Sequence, residues 1–157
     1  MGLTTDIIFV KALRADSTLT AKLAAGDVYN TTIALPDKDK DNAPIPYAIV
    51  SFDGLTNDQT TKDDYESTID QVNVSIEIAA GTRQELGDLA KHVRSQVRNF
   101  FMNAEETDED YDMIPLDYQF TATPVNYDPS KPCYWQLLNY QCDVRNDIIE
   151  DNDEQEE

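Results

Sequence analysis

The side chains of this sequence that could act as nucleophiles or general bases are few and far apart along the chain. His92 is the one histidine, and Cys133 and Cys142 are the two cysteines. A Cys/His or Ser/His/Asp site needs its histidine within hydrogen-bond reach of the nucleophile. Nothing in the sequence places either cysteine near His92, which lies within a helical pattern. We interpret His92 as a partly exposed helix residue and predict neither a catalytic residue nor an enzymatic activity.

Aspartates alternate in two places with a spacing that partly matches a calcium-binding loop. The series within 37–41 and within 108–112 mimic positions 1, 3 and 5 of an EF-hand. Position 12, where that loop supplies a bidentate glutamate, is Ala48 in the first series and Gln119 in the second. The sequence also contains no CxxC, no HExxH and no glycine-rich phosphate loop. We therefore interpret these aspartates as solvated loop charge and predict no metal site and no cofactor.

The charge balance is strongly acidic, with 31 acidic against 12 basic residues and a formal net charge of −19. Such a chain repels nucleic acid unless its few cations cluster. Three interpretations of this charge stay open: solubility, a surface that repels DNA, and a surface that meets a basic partner.

The cysteines and the apolar pattern indicate where the protein is made. Cys133 and Cys142 fall nine positions apart in one predicted strand, which puts them about 30 Å apart and on opposite faces. We expect two free thiols in a reducing cytoplasm. The sequence shows no secretory signal and no apolar run that would span a bilayer, so we expect no membrane partner.

Hydrophobic periodicity predicts an α/β (α+β) chain with three helices and about five strands. The helices run from Thr4 or Thr5 through Leu13, from Asp16 or Ser17 to Gly26, and from Glu85 to Phe101. The strands are Asp27–Leu35, Ile45–Phe52, Glu66–Ala80, Leu116–Tyr127 and Tyr134–Val144. The first helix has Ile7, Ile8, Val10 and Leu13 as its apolar residues, and the second is predicted to turn Leu19, Leu23 and Ala24 inward. We predict a single domain over 1–145, with an acidic linker at 103–112, and an acidic tail over 146–157 that stays extended unless a partner orders it.

The longest strand and the helix that follows it form the main scaffold. Residues 72–80 alternate apolar with polar, and the segment Thr82–Glu85 reads as a capping box for the helix. A regular strand over 66–80 is about 50 Å long, which exceeds ordinary strands. It therefore either bends at a bulge or projects as a hairpin arm. The polar excursion Asp53–Tyr65 precedes it.

Basic residues form a stripe along the long helix. Lys91, Arg94 and Arg98 follow at i, i+3 and i+7, beside the apolar face. Three interpretations are open: local salt bridges to the acidic linker, an inter-subunit contact to acidic residues of a neighbour, and, as a distant third, DNA binding.

Aromatic residues cluster in the last hairpin, where they either pack on the sheet or form an interface hot spot. Combining these features, we predict subunit-interface residues in the stripe, in the polar excursion and in this hairpin. They are Lys91, Arg94, Arg98, Asp58, Lys62, Asp63, Tyr65 and Trp135.

The order of these elements resembles a known family. Two short helices end in Gly26-Asp27-Val28-Tyr29, and a strand follows as Pro44-Ile45-Pro46-Tyr47-Ala48-Ile49-Val50. A long strand ends in Ala79-Ala80-Gly81-Thr82, before the amphipathic helix and two closing strands. Over Thr5–Val144 this resembles the tail terminator and tail-completion proteins of tailed bacteriophages, such as the lambda and SPP1 terminators. The chain departs from them in its acidic linker and acidic tail.

The resemblance implies a mixed or mainly antiparallel sheet with a long amphipathic helix and two short N-terminal helices packed on it. It further implies a ring, usually a hexamer, that caps the tail tube, stops tube polymerisation and joins the tube to the head connector. The partners would be further copies of the chain, the tail tube protein and a connector or stopper protein. Double-stranded DNA would pass through the lumen without specific binding. The protein would be a non-enzymatic virion component of the neck, assembled in the host bacterial cytoplasm.

Besides a metal-dependent enzyme that uses the aspartate clusters, which calorimetry without heat on addition of calcium, magnesium or manganese would dismiss, two other functions remain open at this point. One keeps the assembly class and makes the chain another neck or connector ring, or a tube-like subunit, of the same particle. The other is an acidic host-directed binding protein, for example a DNA mimic that occupies the basic site of a nuclease. A monomer that binds basic proteins tightly and loses affinity with salt would indicate the second.

Overall fold

A computed structural model describes residues 5–30, 44–56, 67–103 and 113–147 of the chain. Within these ranges the chain forms three helices and six strands, which confirms the predicted α+β class. The helices are α1 (Thr5–Arg14), α2 (Ser17–Lys22) and α3 (Arg83–Asn103). The strands are β1 (Tyr29–Asn30), β2 (Tyr47–Thr56), β3 (Ser67–Ala80), β4 (Met113–Ala122), β5 (Asn126–Asp128) and β6 (Cys133–Asp147).

The strands form one mainly antiparallel sheet in the order β1-β2-β3-β6-β4, and β5 also pairs with β6. Only the β1–β2 pair is parallel among the described strands. Strand β3 pairs with β6 along its whole length, from Ser67 opposite Asp147 to Ala80 opposite Tyr134. The helices α1 and α3 pack on one face of this sheet.

The long strand β3 matches neither of the two alternatives that its length suggested, which were a bulge in the strand and a projecting hairpin arm. The register irregularity lies on the neighbouring strand β2, between Phe52 and Gly54, and not on β3. Gly54 has a φ of 145°, which favours glycine there. The last residue of β2, Thr56, pairs with Gln71, so the first four residues of β3 extend past β2 but keep β6 as a partner. The described part of β3 is therefore neither bent by its own bulge nor an isolated arm, because β6 is long enough to pair with all of it.

The alternation of apolar residues in β3 places one face in the core, as predicted. Val72, Val74, Ile76 and Ile78 are each at most 1% exposed. They meet the apolar side of α3, where Leu86, Leu89, Val93 and Val97 are buried. Burial of each such side chain stabilises the fold by roughly 1.5–3 kcal/mol.

The inward face of α1 differs from its sequence prediction. Ile8, Val10 and Leu13 are buried as expected, but Ile7 is 37% exposed and Phe9 is 1% exposed. Phe9 lies one turn before Leu13, whereas Ile7 lies on the outer side of the helix. The aromatic rings that receive Phe9 belong to α3 and β6, which the local pattern of α1 does not contain.

The second helix is shorter than predicted. It starts where expected, because Asp16 is its N-cap and accepts a hydrogen bond from the Thr18 amide at 3.0 Å. It ends at Lys22 with Leu23 as C-cap, so Ala24 lies outside the helix and is exposed. Gly26 then takes a φ of 73° in the turn that leads to β1.

The long helix starts as its sequence predicted. The Thr82 hydroxyl accepts a hydrogen bond from the Glu85 amide at 3.1 Å, which is the N-cap half of a capping box. The helix then runs two residues past the predicted end at Phe101. The adjacent rings of Phe100 and Phe101 both contact Phe9 edge-on.

Replacing Tyr140 by phenylalanine should leave the free energy of unfolding unchanged or raise it by up to about 1 kcal/mol. Its hydroxyl is buried and has no hydrogen-bond partner among the described residues, and burial raises its pKa well above the ordinary range. The matched control is Tyr47→Phe, because the Tyr47 hydroxyl donates to a Glu77 carboxylate oxygen at 2.7 Å. Tyr47→Phe should lower the free energy of unfolding by about 1–2 kcal/mol, because it removes this hydrogen bond. Urea denaturation of both variants measures the difference, and a loss for Tyr140→Phe as large as the control's would contradict the prediction.

A candidate interaction groove beside the long helix

The basic stripe lies on the side of α3 that faces the edge strand β4. The buried positions of α3 fix its rotation on the sheet, and this leaves Lys91, Arg94 and Arg98 exposed. The Arg94 guanidinium lies 4.3 Å from the centre of the Phe120 ring on β4. A cation over an aromatic ring at this distance contributes about 0.5–1 kcal/mol at an exposed site.

A groove of about 340 Å³ separates the helix from the edge strand. Its lining consists of Gly87, Ala90, Lys91, Arg94, Ser95, Arg98 and Tyr118. Small residues of α3 therefore form one wall, the Tyr118 ring forms the other, and the three cations of the stripe stand around it. The Tyr118 ring is held by Phe101 at 4.8 Å and by Tyr140 at 5.5 Å between ring centres.

The cations of the stripe have no carboxylate partner among the described residues. The ion pairs of this part of the chain lie elsewhere: Arg14 with Asp27 at 2.7 Å, and Lys22 with Asp88 at 2.8 Å. The hydrogen bond from Lys22 is the largest cause that lowers the pKa of Asp88, and the charges of His92 and Lys91 on α3 lower it further. The groove thus presents three positive charges: Lys91 has the Asp88 carboxylate nearby, and Arg94 and Arg98 have no counter-charge among the described residues.

The strand that borders the groove is also an open edge of the sheet. Within the described chain β4 has β6 on one side and no strand on the other. Its regular pairing is interrupted between Pro115 and Asp117, and Leu116 at this irregularity is 47% exposed. Unpaired backbone groups on such an edge can accept a further chain.

Three acidic segments leave the sheet at one and the same end. Residues 57–66 connect β2 to β3, residues 104–112 connect α3 to β4, and residues 148–157 follow β6. The register brings these strand ends together, because Ser67 pairs with Asp147 and Met113 pairs with Asn146. The three segments hold 16 of the 31 acidic residues and one of the 12 basic residues, a formal charge of −15 out of −19. The charge of the chain is therefore concentrated in segments attached to one end of the sheet.

A second depression lies over β3, β6 and β4 on the opposite face of the sheet, with a volume of about 330 Å³. Amide, hydroxyl and carboxylate groups dominate its lining, which is Asp53, Asn73, Val74, Gln119, Thr121, Asn139, Tyr140 and Gln141. The described lining of this depression contains no lysine or arginine.

The predicted interface residues divide into three groups. The structure brings Lys91, Arg94 and Arg98 together around one groove. Trp135 does not belong there: it packs with Tyr47 and Cys133 in a smaller apolar cluster on the other face of the sheet. The remaining four, Asp58, Lys62, Asp63 and Tyr65, lie outside the described residues. The polar excursion also begins later than predicted, because Asp53 to Thr56 belong to β2.

Sequence reasoning missed the aromatic side of the groove. Tyr118 and Phe120 alternate on β4 and face the helix, where they contact Phe101 and Tyr140. The alternation was visible in the sequence, but pairing it with the stripe required the position of α3 over β4.

The residues with conventional reactive groups are separated in the structure. The His92 imidazole is 3.9 Å from Asp88 on the surface of α3. Cys133 and Cys142 are both buried free thiols, and they lie in different apolar clusters on opposite faces of β6, as predicted. Within the described ranges no three histidine, cysteine, aspartate or glutamate side chains group into a metal site. No helix of the described chain is both long and apolar enough to cross a membrane.

Both thiols should resist alkylation in the folded protein. Burial raises the pKa of the Cys142 thiol to about 12 and also raises the pKa of the Cys133 thiol. Because the thiolate is the reacting form, Cys142 at pH 8 should react with iodoacetamide roughly a thousandfold more slowly than an unfolded cysteine. Peptide mass spectrometry after timed alkylation, with and without guanidinium, measures both sites. Fast native labelling of Cys142 would show that the strand opens and would contradict the described packing.

Comparisons with known proteins show a likeness in fold but not in sequence. No protein-family model matches the chain, and no curated protein matches it. Among solved structures, the fold is similar to a chain of the "Virion of native gene transfer agent (GTA) particle", with a TM-score of 0.53. The alignment has 14% identity and covers 88% of this chain and 92% of that chain. This likeness shows a shared fold over almost the whole length of both chains.

Proposed function

We propose that this chain is a structural protein of a tailed-phage-like particle and that it forms the ring of the tail terminator in the neck. The observation that carries the proposal is the fold likeness to a virion chain over nearly the full length of both proteins. The resemblance of its sequence elements to tail terminators and tail-completion proteins supports the finer position. Such a ring caps the tail tube, stops its polymerisation and joins it to the head connector.

The charge distribution supports an assembly role for the groove. One surface presents three cations, none of them in an ion pair with a carboxylate of the described residues, and most of the acidic residues belong to segments at one end of the sheet. Identical subunits with separated positive and negative regions can associate head to tail, and a head-to-tail contact closes into a ring when its rotation permits. In this proposal Lys91, Arg94 and Arg98 face a neighbouring copy.

The same charge distribution supports a channel through which DNA passes without adhering. Each phosphate contact from a lysine or arginine adds affinity for DNA. Among the described residues, the lining of the polar depression over β3, β6 and β4 contains no such side chain. A lumen lined by this kind of surface lets the duplex move, and it requires no catalysed reaction and no cofactor.

The main alternative places this protein at a different position in the same particle. Another neck or connector ring, or a tube-like subunit, can use the same fold, and the fold likeness supports these equally. The choice of the terminator rests on the order of the helices, the Gly26–Tyr29 and Pro44–Val50 segments and the strand–helix pair.

The deciding experiment is native mass spectrometry and negative-stain electron microscopy of the protein alone and mixed with tail tubes of the phage that encodes it. Closed rings, or caps at tube ends together with an arrest of tube growth, are the expected result. Rings that ignore tubes and bind head connectors alone would move the protein to another neck position. A persistent monomer that ignores tubes but binds basic proteins in a salt-sensitive manner would overturn the proposal in favour of a DNA mimic.

A further inference from the structure

The groove between α3 and β4 has the properties of a site for an extended acidic peptide. Its cations Lys91, Arg94 and Arg98 lack a carboxylate partner among the described residues, and the Tyr118 ring supplies an apolar wall. From Gly87 to Arg98 the groove spans about 16 Å along the helix. An extended segment of about five residues covers that length. The occupant should therefore be acidic, extended and at least that long.

The segment 148–157 that follows β6 matches these requirements. It begins with Ile148 and Ile149 and continues with six carboxylates among eight residues. The two isoleucines suit the exposed Leu116 and the Tyr118 ring at the edge of the groove. The carboxylates that follow suit the three cations. The acidic linker 104–112 has the same formal charge but offers alanine and tyrosine in place of the isoleucine pair.

The topology favours a groove on another copy over the groove of the same copy. The path from Asp147 to its own groove passes the start of β4 at Met113, where the acidic linker joins the sheet. Tyr118 of the groove lies opposite Cys142, five positions before Asp147, so the segment must reverse its direction and run back along β4 to enter its own groove. A groove on a second copy is reached without that reversal.

We propose that the groove of one subunit binds the acidic segment 148–157 of the next subunit. The inference rests on the proposed function in so far as it describes the contact between copies in an assembly. Beyond the proposed function, the inference names the segment that fills the groove and says which subunit provides it. It also gives a reason for the acidic charge of that segment. One subunit then offers a groove to one neighbour and an acidic segment to the other.

The first test compares two full-length variants with the same change in charge. One replaces the six acidic residues of 148–157 by their amides, and the other does the same to the six acidic residues of 104–112. Only the first should raise the concentration needed for assembly, by at least about tenfold, because it removes an inter-subunit charge contact. Sedimentation velocity measures assembly, and circular dichroism checks the fold. Equal effects of the two variants, or easier assembly of the first, would overturn the inference.

The second test does not depend on ring formation. A fluorescein-labelled peptide of residues 148–157 is titrated into the full chain that carries the amide replacements at 148–157. Binding should be detectable by anisotropy, and it should weaken at least about tenfold when Arg94→Glu and Arg98→Glu are added. A labelled peptide of residues 104–112, with the same formal charge, is the control. Binding of both peptides alike, or of neither, would contradict a specific site.

Mixing two variants tests the direction of the contact. Copies with Arg94→Glu and Arg98→Glu keep the acidic segment, and copies with the amide segment keep the groove. Together they should give one-to-one complexes that grow no further, because only one of the two possible contacts is intact. The proposed function fails if the unmodified chain forms neither rings nor tube caps. The present inference fails alone if the unmodified chain assembles and the mixture stays monomeric.

Discussion

Replacing Arg94 and Arg98 by glutamate should prevent ring formation and leave the fold intact. Both side chains are exposed on α3, so their replacement disturbs no buried apolar contact except the stacking of Arg94 on Phe120. Each reversal turns an attraction for an acidic neighbour into a repulsion. Loss of close charge pairs across an interface costs about 2–5 kcal/mol, or roughly thirtyfold to several thousandfold in affinity. Native mass spectrometry of the assembly and urea denaturation of the monomer measure the two effects separately.

A single substitution on the same helix supplies the control for charge alone. Arg83→Glu changes the net charge as much as Arg94→Glu does, but Arg83 lies in the first turn of α3 and outside the groove. An acidic residue in the first turn also suits the helix dipole. Arg94→Glu alone should weaken assembly at least about tenfold, and Arg83→Glu should leave it within about threefold of the unmodified protein. Rings that form unchanged with both arginines reversed would reduce the stripe to a solvated helix face.

Replacing Phe9 by alanine should cause the largest loss of stability of any single change considered for this chain. Phe9 is 1% exposed, and its ring contacts Phe100, Phe101 and Tyr140 edge-on, with ring centres 5.6–6.4 Å apart. Truncation of a buried phenylalanine costs about 3–5 kcal/mol, because it removes apolar burial and leaves a cavity. Natural domains have only about 5–15 kcal/mol of stability. Urea or thermal denaturation, followed by circular dichroism, measures the loss.

The neighbouring residue Ile7 provides a matched control for this prediction. Ile7 lies on the same helix and is 37% exposed, so Ile7→Ala should cost about 1 kcal/mol or less. For a conservative variant, Phe9→Leu, the loss of stability should lie between those of Ile7→Ala and Phe9→Ala, because leucine keeps part of the buried volume. Similar losses for Ile7→Ala and Phe9→Ala would show that α1 does not dock on the sheet as described.

Local patterns in the sequence were sufficient for most of the secondary structure. The alternation in 72–80 identified the core face of β3, and Thr82 with Glu85 identified the start of α3. Asp16 identified the start of α2 in the same manner. These features depend on residues at most a few positions apart, so the sequence alone contains the physical information that they require.

Features that depend on contacts between distant segments were predicted less well. The choice of Ile7 over Phe9 in α1 was wrong, because both are apolar and only the rings of α3 and β6 decide which is buried. The length of the long strand left a bulge or a projecting arm open, but the irregularity lies on β2, because register is a property of a pair of strands. For Trp135 the sequence left packing on the sheet or an interface open, and only the structure shows that it packs with Tyr47 and Cys133 on the face opposite the stripe.

By itself the sequence determined the fold class, the capped amphipathic helix, the spacing of Lys91, Arg94 and Arg98, and the excess of acidic residues. Only the tertiary structure decided that the stripe faces an edge strand, that Tyr118 completes a groove beside it, and that three acidic segments leave the sheet at one end. The physical reason is the range of the interactions involved. Helix periodicity and capping act over a few residues of one segment, whereas a groove and a separation of charge arise from segments that meet only when the sheet is formed.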